Sequence, residues 1–450
     1  MVDKKWLQQQ AEKVRKVDWI DPALYRKYGV KRGLRNDNGT GVLVGLTTIG
    51  NVHGYVMNEG EKQAIPGELY YRGINVKDIV MADKREHRFG YEETAYLLLF
   101  GELPTSRELV DWKRKLGSYR RLSDGFKENA IMRHPPKDLM NALARAVLFA
   151  YAFDPDDNPD DLSIEKCLEQ SFDLIGSIPT IVAYAYQAKA HYHDGCSLMI
   201  RNPDPRKSTS ENILMLTRED GRYTKLEAET LDLALILHAE HGGGNNSSFT
   251  THVVTSSHSD IYSSVAASIL SLKGSRHGGA NLRVMRQMDE IKSAVKNWHD
   301  AKAVTAYLEK IADKKAGDRS GLIYGLGHAV YTVSDPRAQM LKEKARALAR
   351  EKGREDEMKL FELIESAGPA LIKARHPRAE DVCANVDLYS GFVYDMLGIP
   401  KDLYTPLFAV ARCVSWCAHR MEELVNAGPI IRPAYKPIFH PRDYVKLSDR

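Results

Sequence analysis

The stretch Leu407-Phe408-Ala409-Val410-Ala411-Arg412-Cys413-Val414-Ser415-Trp416-Cys417-Ala418 is apolar nearly all round, with one arginine in its middle. A segment with no polar face predicts a helix enclosed by other elements, because a surface helix keeps one side wet. A chain of 450 residues can supply that enclosure, and its length favours two domains. The guanidinium of Arg412 then needs a fixed anionic partner. Two partners are open: an internal Asp or Glu, as buried arginines usually have, or a ligand carboxylate, which the planar fork suits.

Apolar residues at helical spacing recur over 139–153, 231–241, 261–272 and 407–424, so the fold is predicted to be mainly α. The exception is 42–74, where β-branched residues interleave with Gly45, Gly50, Gly54 and Gly67 and predict short strands and turns near the N-terminus. Candidate loops are the acidic 154–161, the polar 201–210 and the basic 314–321, which breaks two helical patterns.

Composition narrows the class. Hydrophobic residues at 43% and charged residues at 28% fit a soluble globular protein. No apolar run approaches the ~18 residues of a membrane helix, and the N-terminus lacks the marks of a secretory signal or transit peptide, so a cytoplasmic location is expected. Five cysteines, an odd number, argue against a disulfide framework, and Cys413 and Cys417 have no second pair with which to bind zinc. A net charge of +4 is too slight to predict nucleic-acid binding.

Three islands carry the candidate chemistry. In Gly274-Ser275-Arg276-His277-Gly278-Gly279-Ala280-Asn281 the flanking glycines remove the Cβ atoms that would block a close approach. Gly325-Leu326-Gly327-His328-Ala329-Val330 repeats the device and leads into Asp335-Pro336-Arg337; Asn385-Val386-Asp387-Leu388-Tyr389-Ser390-Gly391 adds an aspartate. Together they predict a site assembled from distant segments. The second and third have a structural reading beside the chemical one: Asp335 as N-cap with Pro336 in the first turn, and Asp387 as N-cap of the apolar segment after it.

A further pair follows the capping-box sequence Thr224-Lys225-Leu226-Glu227. His238 and His241 fall one turn apart at the predicted helix C-terminus, before three glycines, where the dipole favours protonated imidazole. They can cap carbonyls, or bind zinc, although neither His-Glu-x-x-His nor His-x-x-Glu-His is present.

The order and spacing of the islands resemble the citrate synthase family. Gly67-Glu68-Leu69-Tyr70-Tyr71-Arg72-Gly73-Ile74 and Ala95-Tyr96-Leu97-Leu98-Leu99-Phe100-Gly101-Glu102-Leu103-Pro104 resemble segments near that family's N-terminus. The resemblance implies a two-domain helical fold, with 1–276 and 391–450 as the large domain and 277–390 as a small domain that closes over the site. It implies an acyltransferase that condenses acetyl-CoA with oxaloacetate and hydrolyses citryl-CoA, with no metal or redox cofactor and the CoA thioester as substrate.

By the same resemblance Asp387 is the base, His277 donates to the thioester oxygen, and His328 polarises the oxaloacetate carbonyl. Arg337, Arg412 and His241, with His238 a weaker candidate, hold the carboxylates. Arg432 reaches a neighbouring subunit's site, which implies a homodimer. CoA is expected along Gly325 and Gly327 and the loop carrying Lys314, Lys315 and Arg319. One departure stands out: many members carry a basic residue shortly after the second histidine, whereas here the segment reads Ala329-Val330-Tyr331-Thr332-Val333-Ser334. The rivals are a 2-methylcitrate synthase using propionyl-CoA, a silent helical scaffold, and a metal-dependent hydrolase built on His238 and His241.

Overall fold

The computed structural model describes residues 4–36, 39–59, 61–155, 158–275, 277–377 and 381–450, so Asp156 and Asp157 of the acidic loop and Arg276 of the first island lie outside the described residues. The chain forms two units, Met1–Leu46 and Thr47–Arg450. In the first, helices Lys4–Val17 and Pro22–Lys27 bury none of their residues, and Asp21 caps the second by accepting from the Ala23 N–H at 2.9 Å.

The second unit is mostly helical. Its centre is the helix Tyr404–Asn426, in which every residue from Tyr404 to Met421 is buried. Helices Ile164–Asp194, Asn246–Thr255, Ile261–Lys273, Tyr91–Phe100 and Lys225–His238 pack around it. The all-round apolar segment thus sits where its composition requires, because no face of it can meet water favourably. No helix of the described residues is long and apolar enough to cross a membrane.

Strands Gly50–Asn58, Glu61–Tyr71 and Ile74–Asn75 form an antiparallel sheet in that order, with Gly50 opposite Tyr71 and a register shift between His53 and Tyr55. Pairing starts later than expected, since no strand forms over 42–49. Two of the strand glycines are needed for packing. A Cβ on Gly54 would stand 2.7 Å from the Val330 carbonyl oxygen, and the Gly67 N–H donates to the Ser334 carbonyl at 3.1 Å. The sheet backbone therefore lies directly on the loop that follows His328.

Thr224 forms the capping box: its hydroxyl accepts from the Glu227 N–H at 3.2 Å, and Glu227 accepts from the Thr224 N–H at 2.8 Å. The helix it opens ends at His238, three residues earlier than the apolar spacing predicts, so His241 lies beyond it. Over 277–396, helices Ala280–Ala294 and Pro336–Lys352 pack on Val386–Met396, while Glu355–Arg375 packs on Ala301–Ala312 and Pro336–Lys352.

Candidate active site

Backbone pairing joins the second and third islands. The Gly327 N–H donates to Cys383 O at 2.8 Å, the Asn385 N–H to Gly325 O at 2.9 Å, and Asn385 Nδ2 to Gly327 O at 2.8 Å. Gly325 and Gly327 sit at φ +87° and +94°, which L side chains rarely adopt, and a Cβ on Gly325 would meet Leu388 Cδ1 at 2.8 Å. Asn385, not Asp387, caps the helix Val386–Met396, its Oδ1 accepting from the Asp387 N–H at 3.0 Å. This corrects the cap reading of Asp387: the preceding asparagine takes that role, and Asp387 stands in the first turn. Burial pushes its carboxyl up to about 6, against the lowering influence of Arg337 and with a smaller raising one from Asp335.

His328 is oriented by its own loop. Its Nδ1 accepts from the Val330 and Tyr331 N–H groups, both at 3.1 Å, which puts the ring proton on Nε2. The Tyr331 ring stacks on it at 4.8 Å, and Tyr331 in turn donates its hydroxyl to the Glu68 carbonyl of the sheet at 3.1 Å. The His241 ring meets His328 edge-on at 5.1 Å.

At the first island, close approach occurs at Gly278, where a Cβ would stand 2.6 Å from the Leu272 carbonyl oxygen. His277 Nε2 lies 3.3 Å from Ser247 Oγ, which accepts from Trp416 Nε1 at 3.2 Å and donates to Asn245 Oδ1 at 2.9 Å. Burial and the charge of Arg412 lower His277 to about 4, so the ring is neutral near pH 7.

The two inner arginines differ. Arg412 is fully buried, donates Nε–H to the His238 carbonyl at 2.8 Å, lies 5.0 Å from the Phe408 ring, and has no partner for Nη1 among the described residues. Burial pushes it down to about 10 despite the opposing influence of Glu240. Glu240 is held elsewhere, by His419 Nε2 at 3.1 Å and by the Gly242 N–H. Of the two partners left open for Arg412, an internal carboxylate paired to it is therefore absent among the described residues. Arg337, by contrast, grips Asp335 through Nε at 3.0 Å and Nη2 at 2.8 Å, while Asp335 also caps its helix by accepting the Arg337 N–H at 2.9 Å.

His238 stacks on Phe408 at 4.1 Å, and neither of its ring nitrogens has a hydrogen-bond partner among the described residues; nor has His241 Nε2. Burial, then the charges of Arg337 and Arg412, hold both histidines well below their ordinary value. The expected protonation is thus overturned: desolvation and two guanidiniums outweigh a helix terminus.

Other candidates stand apart. Arg432 is exposed on the extended segment after the central helix, where the Ile431 N–H reaches Ser256 Oγ at 3.1 Å. Lys314, Lys315 and Arg319 are exposed on their loop, with Lys315 3.4 Å from Asp313. Sequence reasoning missed Ser247, Tyr331, Asn385 and Glu240 as supports of the site. Asn385 alone had a usable signal, since it precedes the helix and is as good a cap as Asp387.

A buried, partly unpaired guanidinium among neutral imidazoles, with a carboxyl titrating near 6, is the equipment of a helical enzyme that holds an anionic substrate and moves protons. A family model described as "Citrate synthase, C-terminal domain" matches residues 38–434. The chain belongs to the citrate synthase family, whose members are acyltransferases.

It is 34% identical over 370 residues to a citrate synthase of Haloferax volcanii, covering 82% of this chain and 88% of that one. It is 31% identical over 371 residues to 2-methylcitrate synthase 2 of Corynebacterium glutamicum, covering 81% and 87%. Among solved structures, the citrate synthase of the archaeon Thermoplasma acidophilum, in ternary complex with carboxymethyl coenzyme A and oxaloacetate, superposes with a TM-score of 0.76 at 27% identity, covering 94% of this chain and 99% of that one.

Proposed function

We propose that this protein is a citrate synthase, joining the methyl carbon of acetyl-CoA to the keto carbon of oxaloacetate and hydrolysing the thioester to citrate and CoA. The observation that carries the reading is the unpaired Nη1 of buried Arg412, beside neutral His238. A desolvated cation without an internal anion calls for an anionic ligand, and a dicarboxylate supplies one.

In this scheme Asp387 takes a proton from the acetyl methyl. So weak a carbon acid demands that the enolate oxygen be stabilised as it forms. His277 does this through Nδ1–H, which requires the Ser247 hydroxyl to turn its proton from Asn245 Oδ1, 2.9 Å away, to His277 Nε2. The enolate carbon attacks the keto carbon, and His328 Nε2–H neutralises the developing alkoxide. Water then cleaves the thioester. Arg412, Arg337, His241 and His238 hold the carboxylates and fix which face of the ketone is attacked. The scheme calls on no metal or redox cofactor, and the CoA thioester is a substrate.

We further propose that 277–390 moves as the small domain over the bound oxaloacetate. Gly325, Gly327, Lys314, Lys315 and Arg319 are assigned to CoA, the last three on the strength of their exposed charge. Arg432 is assigned to the neighbouring subunit's site in a homodimer, and its exposure on the extended segment supports this. A cytoplasmic location completes the reading.

The second reading is a 2-methylcitrate synthase, favoured by relatives of that name at 31% identity. One methylene changes discrimination by only about 1–3 kcal/mol, so the same constellation serves either acyl donor. The deciding experiment is release of free CoA thiol from purified protein given oxaloacetate with acetyl-CoA or propionyl-CoA in parallel, in the presence of EDTA. Preference for acetyl-CoA upholds citrate synthase, preference for propionyl-CoA moves the assignment, and silence with both, with and without EDTA, overturns the roles above.

A further inference from the structure

Behind Glu240, away from the groups assigned to substrate, three side chains meet. His252 comes from the helix Asn246–Thr255, and His419 and Glu422 come from the central helix; one ligand atom of each lies within 4.8 Å of the others. His252 Nδ1 lies 2.7 Å from Glu423 Oε2, and His419 Nε2 lies 3.1 Å from Glu240 Oε2. A ring nitrogen that faces a carboxylate carries the proton, so both of these are N–H donors. The remaining nitrogens, His252 Nε2 and His419 Nδ1, then face each other at 3.1 Å. In neutral rings both are lone pairs, so a positive species belongs between them.

Two further observations identify that species. Glu422 Oε2 is buried, stands 3.8 Å from His419 Nδ1 and accepts no hydrogen bond, although Oε1 is fixed by the Thr48 N–H at 2.6 Å and the Thr48 hydroxyl at 2.9 Å. On the neighbouring side stands Gly243, where a Cβ would come into ordinary contact, 3.5 Å from His419 Cε1 and 3.7 Å from His252 Nε2. A proton is the simpler occupant, since burial of His419 is outweighed by Glu240 and Glu422, which bring it up to about 9. It holds Glu422 Oε2 only as an ion pair 3.8 Å from His419 Nδ1, beyond hydrogen-bond distance.

We infer that His252, His419 and Glu422 form a binding site for a zinc-like divalent cation, with water completing four-coordination from the Gly243 side. Two imidazoles and a carboxylate suit zinc, and nitrogens at ~2.0–2.1 Å from a tetrahedral zinc stand about 3.3 Å apart, close to the gap present here. Metal-binding histidines are held by a carboxylate on the other ring nitrogen, as Glu240 and Glu423 hold these. The bound cation ties the helix Asn246–Thr255 to the central helix and, through Glu422, to Thr48 at the foot of the sheet. It also keeps Glu240 on His419 and away from Arg412.

The test is titration of the full-length, chelator-stripped protein with zinc chloride by calorimetry, and with cobalt chloride by visible absorption. One tight zinc per chain, four-coordinate cobalt absorption, and a loss of affinity of at least about tenfold in both His252→Gln and Glu422→Gln are expected, with Cys196→Ser unchanged. Circular dichroism melts verify folding, and either ligand variant suffices if the other does not fold. Absence of a tight site, or affinity equal to wild type in a folded ligand variant, overturns the inference and leaves the gap to a proton.

Discussion

Arg412 gives its Nε–H to the His238 carbonyl at 2.8 Å and leaves Nη1 unpaired in a fully buried setting. A desolvated charge without an anion destabilises the fold that holds it. Arg412→Met is therefore expected to keep or raise the melting temperature, by up to about 2 kcal/mol of stability, while kcat/KM for oxaloacetate falls by at least about 100-fold. Oxaloacetate should raise the melting temperature of the wild type and not of the variant. A drop in variant stability beyond the loss of the hydrogen bond to the His238 carbonyl would mean that the guanidinium has an internal anionic partner.

As the proposed base, Asp387 is expected to set the acid side of the pH profile. Its carboxyl, raised by burial to about 6, must be ionised to act as base. Activity is then full above that value and falls tenfold per unit as pH drops below it. The profile of kcat/KM for the acyl-CoA checks this, and an acid limb near 4 would contradict the assigned base.

In the proposed scheme the Ser247 hydroxyl, once turned from Asn245 Oδ1, sets which nitrogen of His277 holds the proton. Ser247→Ala removes the hydroxyl 3.3 Å from His277 Nε2 and leaves Trp416 Nε1 without its acceptor. We expect kcat to fall by about 10- to 100-fold with little change in KM for oxaloacetate, a stability loss of about 1–3 kcal/mol, and partial recovery in Ser247→Thr. Wild-type kcat in a folded Ser247→Ala protein would remove the serine from the scheme.

Charge reversal of Lys314, Lys315 and Arg319 together should raise KM for the acyl-CoA several-fold, most at low salt, and leave KM for oxaloacetate alone. Unchanged acyl-CoA kinetics would place the CoA phosphates elsewhere.

Gly325 tests how tightly the two later islands are joined. At φ +87° and with Leu388 where a Cβ would go, Gly325→Ala should cost about 1–3 kcal/mol and lower activity beyond what stability explains. Urea melts and kcat at low temperature separate the two effects.

The amino-acid sequence by itself determined what depends on neighbours along the chain. The capping box at Thr224 and Glu227, the Asp335-Pro336 helix start, the burial of the central helix and the glycines around His277 and His328 follow from spacing and side-chain type. Tertiary structure decided the charges. Among the described residues Arg412 goes without an internal carboxylate because His419, 179 residues from Glu240, holds that acid. His238 and His241 are neutral because burial and two distant arginines outweigh a helix end that sequence alone could see. His252 and His419 meet across 167 residues, in a pairing no local pattern encodes. Helix and cap preferences act over a few residues, whereas desolvation and Coulomb interactions depend on which distant segments the fold brings within a few ångströms.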